Sequence, residues 1–358
     1  MSIPMHSKIR RNLKDFVNKL LINITSNKSD GEKIDPNEIN RILLVRINYR
    51  IGNVIFLTPL IKAISQKLPN AKIDIIVGAP FTIPILKNIP NVENVYDTPR
   101  KLLRNPIELF KKVREINKNN YDLIISPVGN SASSNIAISL LKAKYKLGFE
   151  NQGTWSPINK TVPHSSKYKH EALKLLPLME IFNGDEVDYE LYLDVSLSED
   201  EKNTGKQILF DLLQKHNIGK TPSHIIGIFR DARFDKKIAN IWWQEFIVEM
   251  KKNDENILII DILAPGQEIF TNELPSICIS NLRELSKFLS SLDVFVCGDT
   301  GPMHLASASL VPVIALFNAT SPDMYGPLGK HDNVIQINDK NISLVASEAY
   351  SHLLSLKI

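Results

Sequence analysis

The chain has 358 residues, 43 Lys and Arg against 39 Asp and Glu for a formal net charge of +4, and 43% hydrophobic residues. That is globular composition, long enough for two cores, because single cores rarely grow beyond roughly 250–300 residues. Nucleic-acid binding is disfavoured by the small charge excess, a zinc or disulfide framework by having only Cys278 and Cys297, and a transmembrane helix by apolar runs far short of the ~20 residues needed.

In chain order, the first forty residues stand apart. Lys8, Arg10, Arg11, Lys14 and Lys19 flank Ile9, Leu13, Phe16, Val17, Leu20, Leu21 and Ile24, apolar positions that step by three and four. On a helix these form one stripe bordered by cations, the pattern of an interfacial helix on an anionic membrane over residues 8–24. A helix packed on its own domain, or a partner-binding arm, has the same pattern. Residues 26–40 are polar, contain Gly31 and Pro36, and read as a linker.

From Arg41 onward, apolar runs alternate with amphipathic segments. The pattern predicts strands at 42–45, 72–77, 92–96, 121–125 and 144–147, with helices at 54–68, 106–118, 131–142 and 167–182. A further strand at 191–195 leads to a second series. Its helices are expected at 198–216, 241–251, 282–291 and 303–308, and its strands at 225–228, 257–260, 276–279, 294–296 and 311–316. The expectation is an α/β protein: an extension and linker at 1–40, then two doubly wound domains at 41–195 and 196–358, the second closing with a terminal helix. Ligands of such sheets bind at the carboxyl ends of the strands, so the cleft between the halves is the expected site.

Several chemistries lose their main support. No Gly-X-Gly-X-X-Gly follows a strand, and Walker A, His-Glu-X-X-His and Gly-X-Ser-X-Gly sequences are absent. Two stretches remain. In the first, an apolar strand at 294–297 passes through Gly298-Asp299-Thr300-Gly301 into a helix begun by Pro302, Met303 and His304. Backbone amides of Thr300, Gly301 and Met303 at a helix N-terminus favour a phosphate, Gly301 allows close approach, and Asp299 is free to accept from sugar hydroxyls. An ordinary capped helix start has the same residues. In the second, the strand 42–45 passes through Arg46, Asn48, Arg50, Gly52 and Asn53 into a helix, placing Arg46, Arg50, Asn48 and Asn53 at the cleft; a strand-end turn with Gly52 chosen for backbone geometry has the same residues.

Taken together, these stretches resemble glycosyltransferase family 9, the lipopolysaccharide heptosyltransferase family. Its first signature, Arg-Ile-Gly-Asp followed by Thr-Pro, is matched by Arg50-Ile-Gly-Asn53 and Thr58-Pro59; its second, Asp-Ser/Thr-Gly-Pro-X-His-Leu-Ala, by Asp299 to Ala306. The similarity runs over about 41–330. It implies the GT-B fold, two facing Rossmann-like domains, and transfer of a sugar from a nucleotide diphosphate with inversion, without metal or other cofactor. The implied donor is ADP-heptose and the implied acceptor a lipopolysaccharide-core glycolipid or oligosaccharide, reached by a cytoplasmic protein peripheral to the inner face of the membrane. The resemblance further implies a diphosphate-contacting lysine, here Lys236 with Arg233 and Lys237 as neighbours, and a ribose contact at Gln267 or Glu268. It departs at Asn53, where the family carries an aspartate thought to be the base. Asp231, His164 and His170 are possible substitutes. Alternatively Asn53 only orients the acceptor, or the chain has become a non-catalytic sugar-nucleotide or glycan binder.

Overall fold

The computed structural model describes residues 32–99, 105–128, 132–150, 156–185, 187–219, 221–271, 273–338 and 340–356. The striped segment 8–24 lies outside these residues. Two parallel sheets carry the architecture. The first contains β1 (Arg41–Arg46), β2 (Lys72–Val77), β3 (Val92–Asp97), β4 (Tyr121–Ser126), β5 (Ala143–Phe149) and β6 (Lys160–Val162) in the order β3-β2-β1-β4-β5-β6. The second contains β7 (Ile225–Phe229), β8 (Leu258–Leu263), β9 (Ser276–Cys278), β10 (Val294–Gly298), β11 (Val313–Phe317) and β12 (Asn333–Gln336) in the order β12-β11-β10-β7-β8-β9.

The apolar runs make strands because both faces of each sheet are covered. Along β1, Ile42 and Leu44 join one core while Leu43 and Val45 join another on the opposite face. Each sheet reverses its winding between two central strands, β1 and β4 in one and β7 and β10 in the other. Such a reversal opens a crevice at the strands' carboxyl ends.

Helices cover the sheets: α1 (Ile51–Ile55), α2 (Thr58–Lys67), α3 (Ile83–Leu86), α4 (Pro106–Asn117) and α5 (Ala132–Leu140) in the first unit; α6 (Glu199–Lys215), α7 (Asn240–Asn253), α8 (Leu282–Leu289), α9 (Gly301–Ala308), α10 (Pro322–Tyr325) and α11 (Ile342–Ser355) in the second. The expected terminal helix is α11, which packs on α7. Ser198 begins α6 with a full capping box, its side chain accepting from the Glu201 amide.

Four expectations need correction. The helix expected at 54–68 starts earlier and divides into α1 and α2, because Pro59 has no N–H for the Ile55 carbonyl. The helical pattern at 167–182 resolves into a 3-10 segment, Leu173–Ile181, with Pro177 inside it. The strand expected at 191–195 has no ladder. Its amides instead reach across the molecule, Leu193 to the Leu328 carbonyl (2.9 Å), Val195 to that of Ala308 (2.9 Å) and Asp194 to the Thr58 hydroxyl (3.2 Å). The end of the expected linker is also integral: Ile34 is fully buried, donates to Ile181 (2.8 Å) and accepts from Asn183 (3.0 Å). β6 and β12, only three and four residues long, escaped the sequence reading.

Candidate active site

β10 ends at Gly298 and delivers Asp299, whose carboxylate is buried. β7, the neighbouring switch strand, leads to a short 3-10 turn, Phe234–Lys236, and Lys236 Nζ meets Asp299 Oδ2 at 2.5 Å. Thr320 also donates to Asp299. The structure therefore joins two residues that the sequence placed 63 positions apart, but Asp299 is not free: a lysine and a hydroxyl already occupy it. Thr300 caps α9 by accepting from the Met303 amide at 3.4 Å, so that amide is not open to a phosphate either. Pro302 has no N–H, which leaves the amides of Thr300 and Gly301 as first-turn donors without an intrahelical acceptor.

The remaining residues of this turn form a joint between the units. α9 packs against α1, and the contact is close because each helix has a glycine in its first turn, Gly52 in α1 and Gly301 in α9. A Cβ on Gly52 would stand 2.7 Å from His304 Cδ2, and one on Gly301 would stand 3.2 Å from Ile51 Cβ. Gly301 thus gives room to Ile51. His304, expected to touch donor, is buried with its ring edge-on to Phe56 at 4.6 Å. Burial foremost, with the nearby His170, pulls its pKa down to about 3, so the imidazole is neutral. Its Nδ1 has no hydrogen-bond partner.

The other imidazoles are also engaged elsewhere. His170 is buried, bonds the Gly326 carbonyl through Nε2 (3.0 Å), and accepts the Ala172 amide at Nδ1 (3.2 Å). Burial lowers its pKa. It fastens the first unit to the loop after α10. His164 stacks on Phe149 at 4.6 Å.

Asn53 lies half-buried in the first turn of α1. Its carbonyl accepts from Arg46 Nε at 3.4 Å. Burial pushes the Arg46 pKa down to about 10, opposed only by the more distant charge of Glu171. Asn48 accepts the Arg50 amide on its side chain (2.9 Å), which shapes the turn and leaves the Arg50 side chain exposed beside α1.

A cleft of about 380 Å³ opens at the carboxyl ends of β7 and β8, lined by Arg230, Asp231, Lys237, Asn240 and 264–268. Arg230 was missed by sequence reasoning. It is clamped by Asp261 through Nε (3.0 Å) and NH2 (2.8 Å), donates to Asn240 (3.1 Å) and lies 4.2 Å above the Phe270 ring. Ala264-Pro265-Gly266-Gln267 is a tight turn with Gly266 at φ +82° and the Gln267 amide on the Ala264 carbonyl. Gln267 Oε1 accepts from the Ala264 amide (2.9 Å), whereas Glu268 is exposed at the rim. Asp231 belongs to this cleft, 3.9 Å from Lys237 Nζ. Arg233 is exposed on the loop preceding Lys236. Among the described residues no group of three or more His, Cys, Asp or Glu is placed to hold a metal, and no helix is long and apolar enough to cross a membrane.

Two parallel α/β units, meeting at their switch-strand turns, define the GT-B class of glycosyltransferases. Residues 109–352 match the profile of glycosyltransferase family 9 (heptosyltransferase), and the chain belongs to that family. It is 24% identical over 305 residues to lipopolysaccharide heptosyltransferase 3 of Escherichia coli K12, covering 80% of this chain and 84% of that protein. Its fold is similar to that of a glycosyltransferase family 9 protein from Veillonella parvula, with TM-score 0.73, 18% identity, and coverage of 92% and 100%. It is likewise similar to E. coli heptosyltransferase WaaC with ADP, at TM-score 0.68, 19% identity, and coverage of 88% and 99%.

Proposed function

We propose that this glycosyltransferase moves heptose from ADP-heptose, with inversion, onto a lipopolysaccharide-core or related glycolipid, working at the inner face of the membrane. Residues 41–195 form the acceptor half and 196–358 the donor half in this reading. The carrying observation is the Lys236–Asp299 pair at the reversal of the second sheet, next to a 380 Å³ cleft. ADP occupies that cleft, its ribose toward Glu268. The diphosphate lies toward Lys236, Lys237 and the Thr300 and Gly301 amides, which neutralise the charge that grows on the leaving group. Arg233 adds to that positive field from its exposed loop. Asp299, once Lys236 turns to phosphate, accepts from a sugar hydroxyl.

On the acceptor side an amide at 53 cannot take a proton, so Asn53 orients the hydroxyl while Arg46 and Arg50 supply positive charge. Asp231 acts on the nucleotide side. Residues 8–24 contribute an anionic-membrane contact in addition.

A donor screen tests the reading. ADP-heptose and other nucleotide sugars are offered with a truncated core acceptor, and product is followed by mass spectrometry with anomeric assignment by NMR. Transfer from ADP-heptose with inverted configuration is expected. Donor binding without transfer to any acceptor would instead make the chain a binder, and preference for another nucleotide would overturn the donor assignment.

A further inference from the structure

The outward side of α4 is unusual for a surface helix. Val113 and Ile116 point into the first sheet's core, with Leu109 partly buried against it. That leaves Ile107, Phe110, Lys111 and Arg114, at i, i+3, i+4 and i+7, along the opposite side. Ile107 is 69% exposed and Phe110 67%, the highest values among the large hydrophobic side chains described. An isolated exposed leucine or isoleucine is ordinary, but a neighbouring Ile–Phe pair standing clear of the surface is not. α5 is tied to α4 by Asn117 Nδ2 on the Leu140 carbonyl (3.1 Å), and it exposes Ile136 and Leu140 one helical turn apart.

The charges around these side chains have one prevailing sign. Lys111, Lys112, Arg114, Lys118 and Lys142 outnumber Glu108 and Glu115, and the two carboxylates are already paired with Lys111 (3.1 Å) and Lys112 (3.4 Å). Among the described residues no carboxylate pairs with Arg114, Lys118 or Lys142. The face also has a defined place relative to the site. α4 begins on the side where β3 ends, and Tyr49 of the Asn48–Asn53 turn donates to the Thr98 carbonyl (3.1 Å) on the loop leading from β3.

We propose that this face of α4 docks on an anionic bilayer, with Ile107 and Phe110 entering the headgroup and acyl boundary and the unpaired cations meeting lipid phosphates. Charge complementarity selects a membrane over an apolar protein groove, because protruding apolar tips ringed by cations match an interface that is greasy below and anionic above. The docking needs no particular sugar or acceptor. It rests on the functional reading only in that a lipid-anchored acceptor would be found where it places the cleft.

The test uses the full chain and vesicles of phosphatidylcholine with or without phosphatidylglycerol, and with no glycolipid, so that failure of the heptose assignment leaves it untouched. Ile107→Glu/Phe110→Glu should lower partitioning onto the anionic vesicles by about tenfold or more. Both side chains are exposed, so circular dichroism should be unchanged. Phe110→Trp separates this face from residues 8–24: spin-labelled lipids placed at shallow depth should quench its added fluorescence. Unchanged partitioning of the double variant, or no quenching beyond that of the native tryptophans, overturns the proposal. So does a dimer that the double variant dissolves, which would make the face a self-contact.

Discussion

Gly52→Ala tests the joint between the two units because two opposing effects act on it. Alanine in place of glycine inside a helix ordinarily stabilises by roughly 0.5–1 kcal/mol. Here the added methyl would lie 2.7 Å from His304 Cδ2 and 3.3 Å from Nε2, whereas carbon atoms rest at about 3.5–4.0 Å. The ring has little room to retreat, being buried with Phe56 at 4.6 Å. Overpacking of this kind costs about 1–3 kcal/mol, which outweighs the propensity gain and makes Gly52→Ala net destabilising. Removing the ring with His304→Ala creates a cavity and destabilises by itself. It also abolishes the clash. In that background Gly52→Ala should therefore become stabilising by about 0.5–1 kcal/mol. The sign of one substitution reverses with the presence of one ring. Thermal unfolding of the four proteins, followed by circular dichroism and donor affinity, measures the cycle. Equal shifts from Gly52→Ala in both backgrounds, within about 0.5 kcal/mol, would show that the two residues do not touch and would refute the joint.

Lys236→Ala should raise the KM for nucleotide sugar by about 10²-fold, since it removes the diphosphate's cation and leaves buried Asp299 facing the same charge; Asp299→Asn in that background should recover part of the loss. Glu201→Gln should destabilise by about 3 kcal/mol because Arg283 binds that carboxylate at 2.7 and 2.5 Å. Arg283 holds the Glu201 pKa down to about 2, so the pair's stabilisation is complete above the ordinary value of 4.5 and fades as pH falls toward 2. The variant should accordingly have a flatter acid limb in an unfolding titration. Asp231→Asn should alter donor KM while leaving the pH profile of kcat in place, whereas loss of the profile's acid limb would restore Asp231 as the general base.

The parts of the fold that were legible in the sequence are those set by burial on both faces. Continuous apolar runs such as 42–45 and 294–297 can be satisfied only inside a covered parallel sheet, and the turns after them announce themselves through Gly and Pro. What failed were segments whose backbone partners lie far away. Leu191, Leu193 and Val195 alternate like a strand, yet the amides of Leu193 and Val195 go to Leu328 and Ala308 of the second unit. Pro177 turned an apolar helical pattern into 3-10 structure without altering its periodicity. Arg230 left a clue that went unread: Asp261 interrupts the otherwise apolar strand β8, and a carboxylate 1% exposed demands a cation. Asp74 within β2 carries the same message and is held by Arg41, Asn94, Asn119 and Tyr121.

The electrostatics around residue 53 explain why an amide there is more than a lost base. Arg46 ends β1 half-buried, and burial lowers its pKa to about 10, opposed by the more distant Glu171, with no carboxylate among the described residues in contact with it. Its Nε is already directed to the Asn53 carbonyl at 3.4 Å. A carboxylate at 53 would lie within the field of that guanidinium, which would raise the arginine's pKa and depress its own. An aspartate so held stays ionised but becomes a weaker proton acceptor, so Asn53→Asp should increase transfer only modestly and only above the pH at which the new carboxylate titrates. With asparagine in place, the carboxylate acting on Arg46 is the more distant Glu171. An anionic acceptor, such as a phosphorylated or carboxylated core sugar, then becomes the natural counter-ion of Arg46. In the proposed reading, the residue that weakens proton transfer thereby leaves Arg46 to capture an anionic acceptor. In a reaction whose leaving group is a diphosphate stabilised from the other unit, holding the acceptor in line contributes more to the rate than the late loss of its proton.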